Sequence, residues 1–342
     1  MCKNISPYIS VILIAYNRQK FIPYAFKSLT NQNLDYDNFE VILLTNFDIN
    51  MPELEEFQKR GGNLKRLKIE GTIGLYFEKA LSISDGKVLC FLDDDDAFLP
   101  NKLQKILDIF KNNEKIGYYS NYMDIINEDG HVYKERNKIG TISSRRREKE
   151  MIINNNSSFK SIQKFVAYGG NSFNSTISIR KSILEQYKSI LNYTLRTEDE
   201  ILFAIALDSG YNLMLNSLIL THYRISTSSS SRILQKSNNA LNNRCSVIKR
   251  ELDTFSMVMN TENLLKKQIT KQYLRNSYSF DLLIYSAICS HYNKNYNKKT
   301  MNLNKDLLYP FKITNIFLIS LYFISIIYKK FAIQLYIVFR GD

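Results

Sequence analysis

Cysteine and glycine are scarce in this 342-residue chain, and so is acidic charge in its last third; each shortage excludes something. The four cysteines, Cys2, Cys90, Cys245 and Cys289, lie far apart, with no CxxC pair and no metal-finger spacing. That excludes a zinc module and leads us to expect reduced thiols in a cytoplasmic protein, without a disulfide framework. The first apolar run is followed by "AYNRQKF", which has no glycine, so the phosphate loop a nucleotidyltransferase wants is missing. That run spans only Ile9 to Tyr16 and precedes no small-residue cleavage pattern, so a buried strand explains it better than a secretory leader. Acidic residues number 27 in residues 1–231 but 6 in residues 232–342, against 29 and 17 Lys/Arg. The net charge of +13 therefore belongs almost wholly to the C-terminal third. We expect an acidic surface to meet one end of the molecule, and no nucleic-acid partner, because no base-reading motif accompanies the charge.

What is present in the first hundred residues is a regular alternation. Apolar runs at 8–16, 39–46 and 87–92 and a third strand at 64–70 alternate with helix-like segments at 20–32, 51–62 and 74–84. Strands apolar on both faces and separated by helices form a doubly wound, mostly parallel sheet, whose ligands sit beyond the strands' carboxyl ends. Residues 117–181 are mixed and polar, and include Arg145–Arg147. A helix opens near Thr197, a strand covers 212–225, and a serine-rich loop at 226–232 marks a boundary, either as a flexible linker or as a lid. Residues 233–290 are helical in pattern and 293–305 form a solvated linker. Ile313–Tyr328 is a 16-residue run without charge, followed by Lys329 and Lys330 and further apolar residues. A spanning helix needs about 20 apolar residues. The run therefore suits helices in the membrane interface, with a single span or a partner-binding helix as alternatives. The resulting divisions are 1–231, 232–305 and 306–342.

Two acidic constellations carry chemistry. In "LCFLDDDDAFLP", four aspartates, Asp93–Asp96, stand at the end of a strand. Neighbouring carboxylates about 5 Å apart repel by roughly 3 kcal/mol at an effective dielectric near 20, so something must reward the arrangement. With Pro100 as the first helical residue, Leu99 would be the cap and the aspartates lie too early to cap. In an extended segment Asp93 and Asp95 face one way, Asp94 and Asp96 the other. A hard cation such as Mg²⁺ or Mn²⁺ bridging to substrate phosphates accounts for them. In "RTEDEILFAIALDSGY", Thr197 and Glu200 have capping-box spacing, which leaves Glu198 and Asp199 on the first turn, aimed and without a structural duty. A carboxylate held there could take a proton from a substrate hydroxyl.

The strand "ISVILIAYNR", the segment "SDGKVLCFLDDDDAFLP" and a downstream "TEDE", in that order and spacing, resemble the inverting family 2 glycosyltransferases over about residues 8–225. The resemblance implies a GT-A fold: an α/β, doubly wound, mostly parallel sheet, here followed by a helical, membrane-associating C-terminal region. It implies a nucleotide-sugar donor of UDP or GDP type, bound by Ala15, Tyr16, Asn17, Asn46, Lys79, Asp93 and Asp94. It implies a divalent cation, Mg²⁺ or Mn²⁺, on Asp95 and Asp93, and a catalytic pair in Asp199, the general base, and Glu198. The acceptor would be a hydroxyl of a lipid-linked saccharide, polysaccharide or glycan, with Arg145–Arg147 bordering its site. The enzyme would work at the inner face of the membrane, docked through its tail. The chain departs from the family pattern at four places. Ile14-Ala15 replaces Pro-Thr, and Thr45-Asn46 replaces base-reading acids. Phe77-Glu78 stands where Arg-Asn is usual, which leaves Lys79 as the nearest cation. "YRIS" lacks the histidine of Tyr-Arg-x-His, and His222, on the wrong side of it, reads as a strand residue. The rival readings are a non-catalytic nucleotide-sugar-binding adaptor on the same fold and a nucleotidyltransferase.

Overall fold

The computed structural model describes residues 6–133, 150–225, 238–260, 264–285 and 289. These fall into two compact units: 6–133, 150–194 and 198–225 in the first; 195–197, 238–260, 264–285 and 289 in the second. The Arg145–Arg147 run, the loop 226–232, the linker 293–305 and the apolar tail lie outside the described residues.

The first unit opens with the expected alternation. Strands β1 (Ile9–Ala15), β2 (Phe39–Thr45), β3 (Asn63–Lys68) and β4 (Val88–Asp93) are separated by helices α1 (Ile22–Thr30), α2 (Pro52–Lys59) and α3 (Ile73–Ile83). They lie side by side as β3-β2-β1-β4, all parallel. β1, β2 and β4 are buried because helices cover both faces. Val11, Leu13, Val41, Leu43, Cys90 and Leu92 pack with Phe26 and Leu29 of α1 and Phe57 of α2. On the opposite face Phe91 meets Phe77 of α3, ring centroids 5.3 Å apart. β3 is the edge strand, and Lys65, Arg66 and Lys68 discourage further pairing there.

Beyond β4 the sheet changes character. β5 (Ala97–Phe98), α4 (Lys102–Asn112), β6 (Ile116–Ile126), β7 (Met151–Ile153), α5 (Phe159–Ala167), β8 (Ile177–Arg180), α6 (Lys181–Gln186), α7 (Lys188–Leu191), α8 (Glu198–Ser209) and β9 (Asn212–Arg224) complete the unit. The sheet continues β4-β8-β6-β9-β5, with β8 antiparallel to β4 and β6, and β7 pairing antiparallel to β9. Because β8 runs against β4, the residues just before Ile177 come to lie beside the end of β4. α4 starts at Lys102 rather than at Pro100: the Leu99 N–H bonds Leu220 O at 3.0 Å, so residues 97–99 are drawn into the sheet by β9 before the helix can begin.

The second unit holds α9 (Asn238–Asn260) and α10 (Gln268–Ile284). Cys245 and Cys289 form a disulfide with Cα atoms 5.4 Å apart, which corrects the expectation of reduced thiols throughout. Their 44-residue sequence separation conceals the pairing, which exists only once the helical hairpin folds back. Cys90 is free and buried in β4. Among the described residues no helix is long and apolar enough to cross a membrane.

Candidate active site

The sheet's parallel half aims three strand ends at one place. β4 finishes at Asp93, and the chain then turns, the Asp96 N–H donating to Asp93 O at 3.2 Å. That turn overrides the strand alternation expected for the four aspartates: Asp94 and Asp95 both reach the guanidinium of Arg18, just past the end of β1. Arg18 donates Nε to Asp94 Oδ2 (3.2 Å), Nη1 to Asp95 Oδ2 (2.7 Å) and Nη2 to Asp94 Oδ1. Sequence reading passed over Arg18; the signal was its place after the first buried strand, beside a register that sets Ile14 opposite Asp93. Burial pushes the Asp94 carboxyl up to about 7 in spite of Arg18. Asp93 is raised well above the usual range by burial and by the neighbouring charges of Asp96, Asp95 and Glu198.

Glu198 and Asp199 open α8, and the short 3₁₀ turn Asn174–Thr176 joins them to the aspartates. The Phe173 N–H donates to Asp199 Oδ2 at 3.0 Å, and Asn174 Nδ2 donates to Glu198 Oε1 at 2.9 Å. One residue on, Ser175 Oγ accepts the Asp93 N–H at 2.9 Å. Three successive residues of one turn thus hold both acidic segments, at the point where antiparallel β8 enters beside the end of β4. Burial, followed by the charges of Glu198 and Glu200, pushes Asp199 up to about 7. The anticipated capping box does not form. The Glu200 N–H donates to Asp199 Oδ1 (3.0 Å), and Thr197 turns its hydroxyl to Arg196 O (2.6 Å). Thr197 (φ 56°), Phe173 (φ 69°) and Asn17 (φ 56°) are the non-glycine residues of left-handed backbone among those described. Each is one residue away from, or bonded to, a candidate site residue; such conformations cost about 1–3 kcal/mol and gather where geometry serves function.

Two buried cations support the acids from within the fold. Lys102 is fully enclosed; its Nζ donates to Ser175 O and to Thr221 Oγ1 (2.9 Å), and burial lowers its pKa to about 7. Arg224, on β9, donates Nε to Asp95 O (2.8 Å) and its backbone N–H to Asp96 Oδ1 (2.8 Å). Asp96 Oδ2 is buried without a hydrogen-bond partner, and burial with the Asp95 charge raises Asp96 to about 8.

At the ends of β1 and β2, Asn17 and Asn46 clasp each other. The Asn17 N–H donates to Asn46 Oδ1 (2.9 Å), and Asn46 Nδ2 donates to Asn17 Oδ1 (2.6 Å). Tyr16 beside them is exposed, while Ala15 is buried. Lys79 lies half-exposed on α3; none of the described hydrogen bonds or ion pairs joins it to the aspartates. Phe77 is buried against Phe91, and Glu78 pairs with Lys188 (3.6 Å), so neither reaches the cluster. His222 sits in β9 opposite Ala97.

Residues 10–187, just over half of the chain, match the glycosyl transferase family 2 profile. The chain belongs to that family. Among curated relatives, the uncharacterized glycosyltransferase MJ1057 of Methanocaldococcus jannaschii is 30% identical over 134 residues, which is 38% of this chain and 46% of that protein. The minor teichoic acid biosynthesis protein GgaA of Bacillus subtilis is 28% identical over 191 residues, 51% of this chain and 40% of GgaA. The chain spans less than half the length of each. Residues 1–349 of S. aureus TarS superpose with a TM-score of 0.53 at 15% identity, covering 94% of this chain and 81% of that one, a likeness of fold alone. TarS 1–349 is also known in complex with UDP and with UDP-GlcNAc.

For a family 2 enzyme the donor set can be tested against a hard divalent cation. Among the described residues no three His, Cys, Asp or Glu side chains enclose a metal position. A cation that keeps waters and shares substrate phosphates needs only one or two carboxylates. Asp93, Asp94, Asp95, Asp96, Glu198 and Asp199 outnumber Arg18, Lys102 and Arg224, and Asp96 has an unmet buried oxygen. Carboxylate oxygens gathered so closely that neighbouring charge raises several of them are hard donors that fit Mg²⁺ or Mn²⁺.

Proposed function

We propose that the chain transfers a sugar, with inversion, from a nucleotide diphosphate to a hydroxyl of a saccharide acceptor. The observation that carries this reading is the Phe173–Ser175 turn, which ties the donor-side aspartates and the Asp199 pair into one site. Asp199 takes the proton from the acceptor hydroxyl as its oxygen attacks the anomeric carbon in line with the departing diphosphate. A base titrating near 7 is matched to that task at neutral pH. Glu198, fixed by Asn174, supplies the neighbouring charge that keeps Asp199 basic. Asp93 and Asp95 would hold Mg²⁺ or Mn²⁺, which when bound offsets the charge of the leaving diphosphate. The Asn17–Asn46 clasp, with Tyr16 beside it, receives the nucleoside.

The UDP and UDP-GlcNAc complexes of TarS make uridine donors the first to test, with GDP-sugars next. The role of GgaA in teichoic acid synthesis supports a cell-surface polymer or its lipid-linked precursor as acceptor. The basic C-terminal third and the Lys329-Lys330 run support docking on an anionic inner membrane face, with 1–231 as the catalytic part, 232–305 as a helical extension and 306–342 as the anchor. The Cys245–Cys289 bond removes the cysteine-based argument for a reducing compartment, so this placement rests on charge alone. Thermal shift with Mn²⁺ across UDP-, GDP- and dTDP-sugars should single out one donor, whose binding raises the midpoint by mass action. A flat response to every nucleotide would defeat the reading. Deleting residues 307–342 should abolish sedimentation with anionic vesicles; persistent binding would relocate the membrane contact.

A further inference from the structure

We propose that Arg18 is the ligand of the donor's diphosphate, that Asp94 is its fixed anchor, and that Asp95 passes from Arg18 to the divalent cation when the donor binds. This rests on the proposed transferase reading. The argument begins with unequal enclosure: the Asp94 side chain is 3% exposed and that of Asp95 is 12%, while Arg18 is 34% exposed. Asp94 spends both oxygens on the Nε–Nη2 side of the guanidinium and is sealed from solvent. It holds Arg18 whatever happens above. Asp95 gives one oxygen to Nη1, at 2.7 Å, and is the more accessible partner.

Asp95 then faces two claims. An arginine is a bulky monocation, and a small divalent ion carrying phosphate oxygens is the stronger bidder for a carboxylate beside a diphosphate. Once Asp95 turns to that ion, Nη1 has lost its acceptor but Arg18 has not lost its anchor. Its free N–H groups remain beyond the carboxyl ends of β1 and β4, where ligands of such sheets bind. A guanidinium fork matches phosphate oxygens as well as it matches carboxylate. Arg18 thereby bridges Asp94 and Asp95 in the free protein and becomes a donor ligand in the loaded one. No described ion pair or hydrogen bond gives Lys79 such a position.

The test uses the full chain and four probes: Mn²⁺ alone, read from the electron paramagnetic resonance of the free ion, and UDP, uridine and GDP by calorimetry with Mn²⁺ present. In Arg18→Gln, Mn²⁺ alone should bind several-fold tighter, because Asp95 is released beforehand. UDP, or GDP where the wild type prefers it, should bind roughly 10- to 100-fold more weakly, as expected for loss of a charge-assisted contact. Uridine, which has no phosphate, should bind unchanged. Asp94→Asn should reproduce the nucleotide defect while leaving uridine alone. Should Arg18→Gln fail to fold, Arg18→Lys keeps the charge without the fork, and the same diphosphate defect should appear in smaller measure. Equal weakening of UDP and uridine, or weaker Mn²⁺ binding in Arg18→Gln, overturns the inference and leaves Arg18 a structural counter-ion. A wild-type protein that binds neither UDP nor GDP overturns the transferase reading itself; wild-type binding with every variant unaffected overturns this inference alone.

Discussion

Asp199→Asn should do two opposite things: abolish transfer and stabilise the fold. The carboxyl is pushed from 3.8 to about 7, mainly by burial, so the folded protein binds the proton more tightly than the unfolded chain. Between those values the native state holds more protons, and stability must fall as pH rises. That difference corresponds to about 4 kcal/mol lost by pH 8. Asparagine cannot ionise. Its single carbonyl oxygen can keep one of the two N–H donors, from Phe173 and Glu200, and loses the other at a cost of about 1–2 kcal/mol. The net expectation at pH 8 is a gain of about 2 kcal/mol, or roughly 4–8 °C in midpoint for a domain of this size. At pH 5.5 only about half of the penalty has accrued and the gain should nearly vanish. Parallel thermal melts at the two pH values test this directly. Turnover should drop by roughly 10²–10⁴-fold, the usual worth of a positioned base. The wild-type kcat/KM should rise with pH along a limb centred near 7, where Asp199 sheds its proton. A variant less stable than wild type at pH 8, or one whose turnover falls by much less than about 100-fold, would refute the assignment of Asp199 as a buried general base.

Two further outcomes follow from the same geometry. Asn17→Ala breaks the clasp with Asn46 and places a Cβ-bearing residue at φ 56° without a polar side chain to support it; nucleotide KM should rise while kcat changes less, whereas Asn17→Gly should recover part of the fold stability. Cys245→Ser should destabilise the helical unit by about 4 kcal/mol on the loop-entropy estimate for its 44-residue closure, visible as faster amide exchange in α9 and α10; counting four free thiols rather than two in the unreduced, unfolded protein would contradict the bond.

What the sequence determined by itself was whatever depends on local pattern. Buried parallel strands read as unbroken apolar runs, so β1, β2 and β4 and the helices between them could be placed within a few residues. The two acidic segments stood out because charge at the end of an apolar strand, or on the first turn of an apolar helix, is costly without a purpose. Arg18, Ser175, Lys102 and the Cys245–Cys289 pair carried no such mark. Arg18 meets Asp94 across 76 residues, Lys102 meets Ser175 across 73, and the cysteines are 44 apart. Only the reversal of chain direction at β8, which sets Ser178 against Cys90, carries the Phe173–Ser175 turn to the end of β4 and makes two acidic segments one site. Periodicity is a property of neighbours along the chain. The electrostatics of the site belong to neighbours in space, which the order of strands in the sheet had to choose.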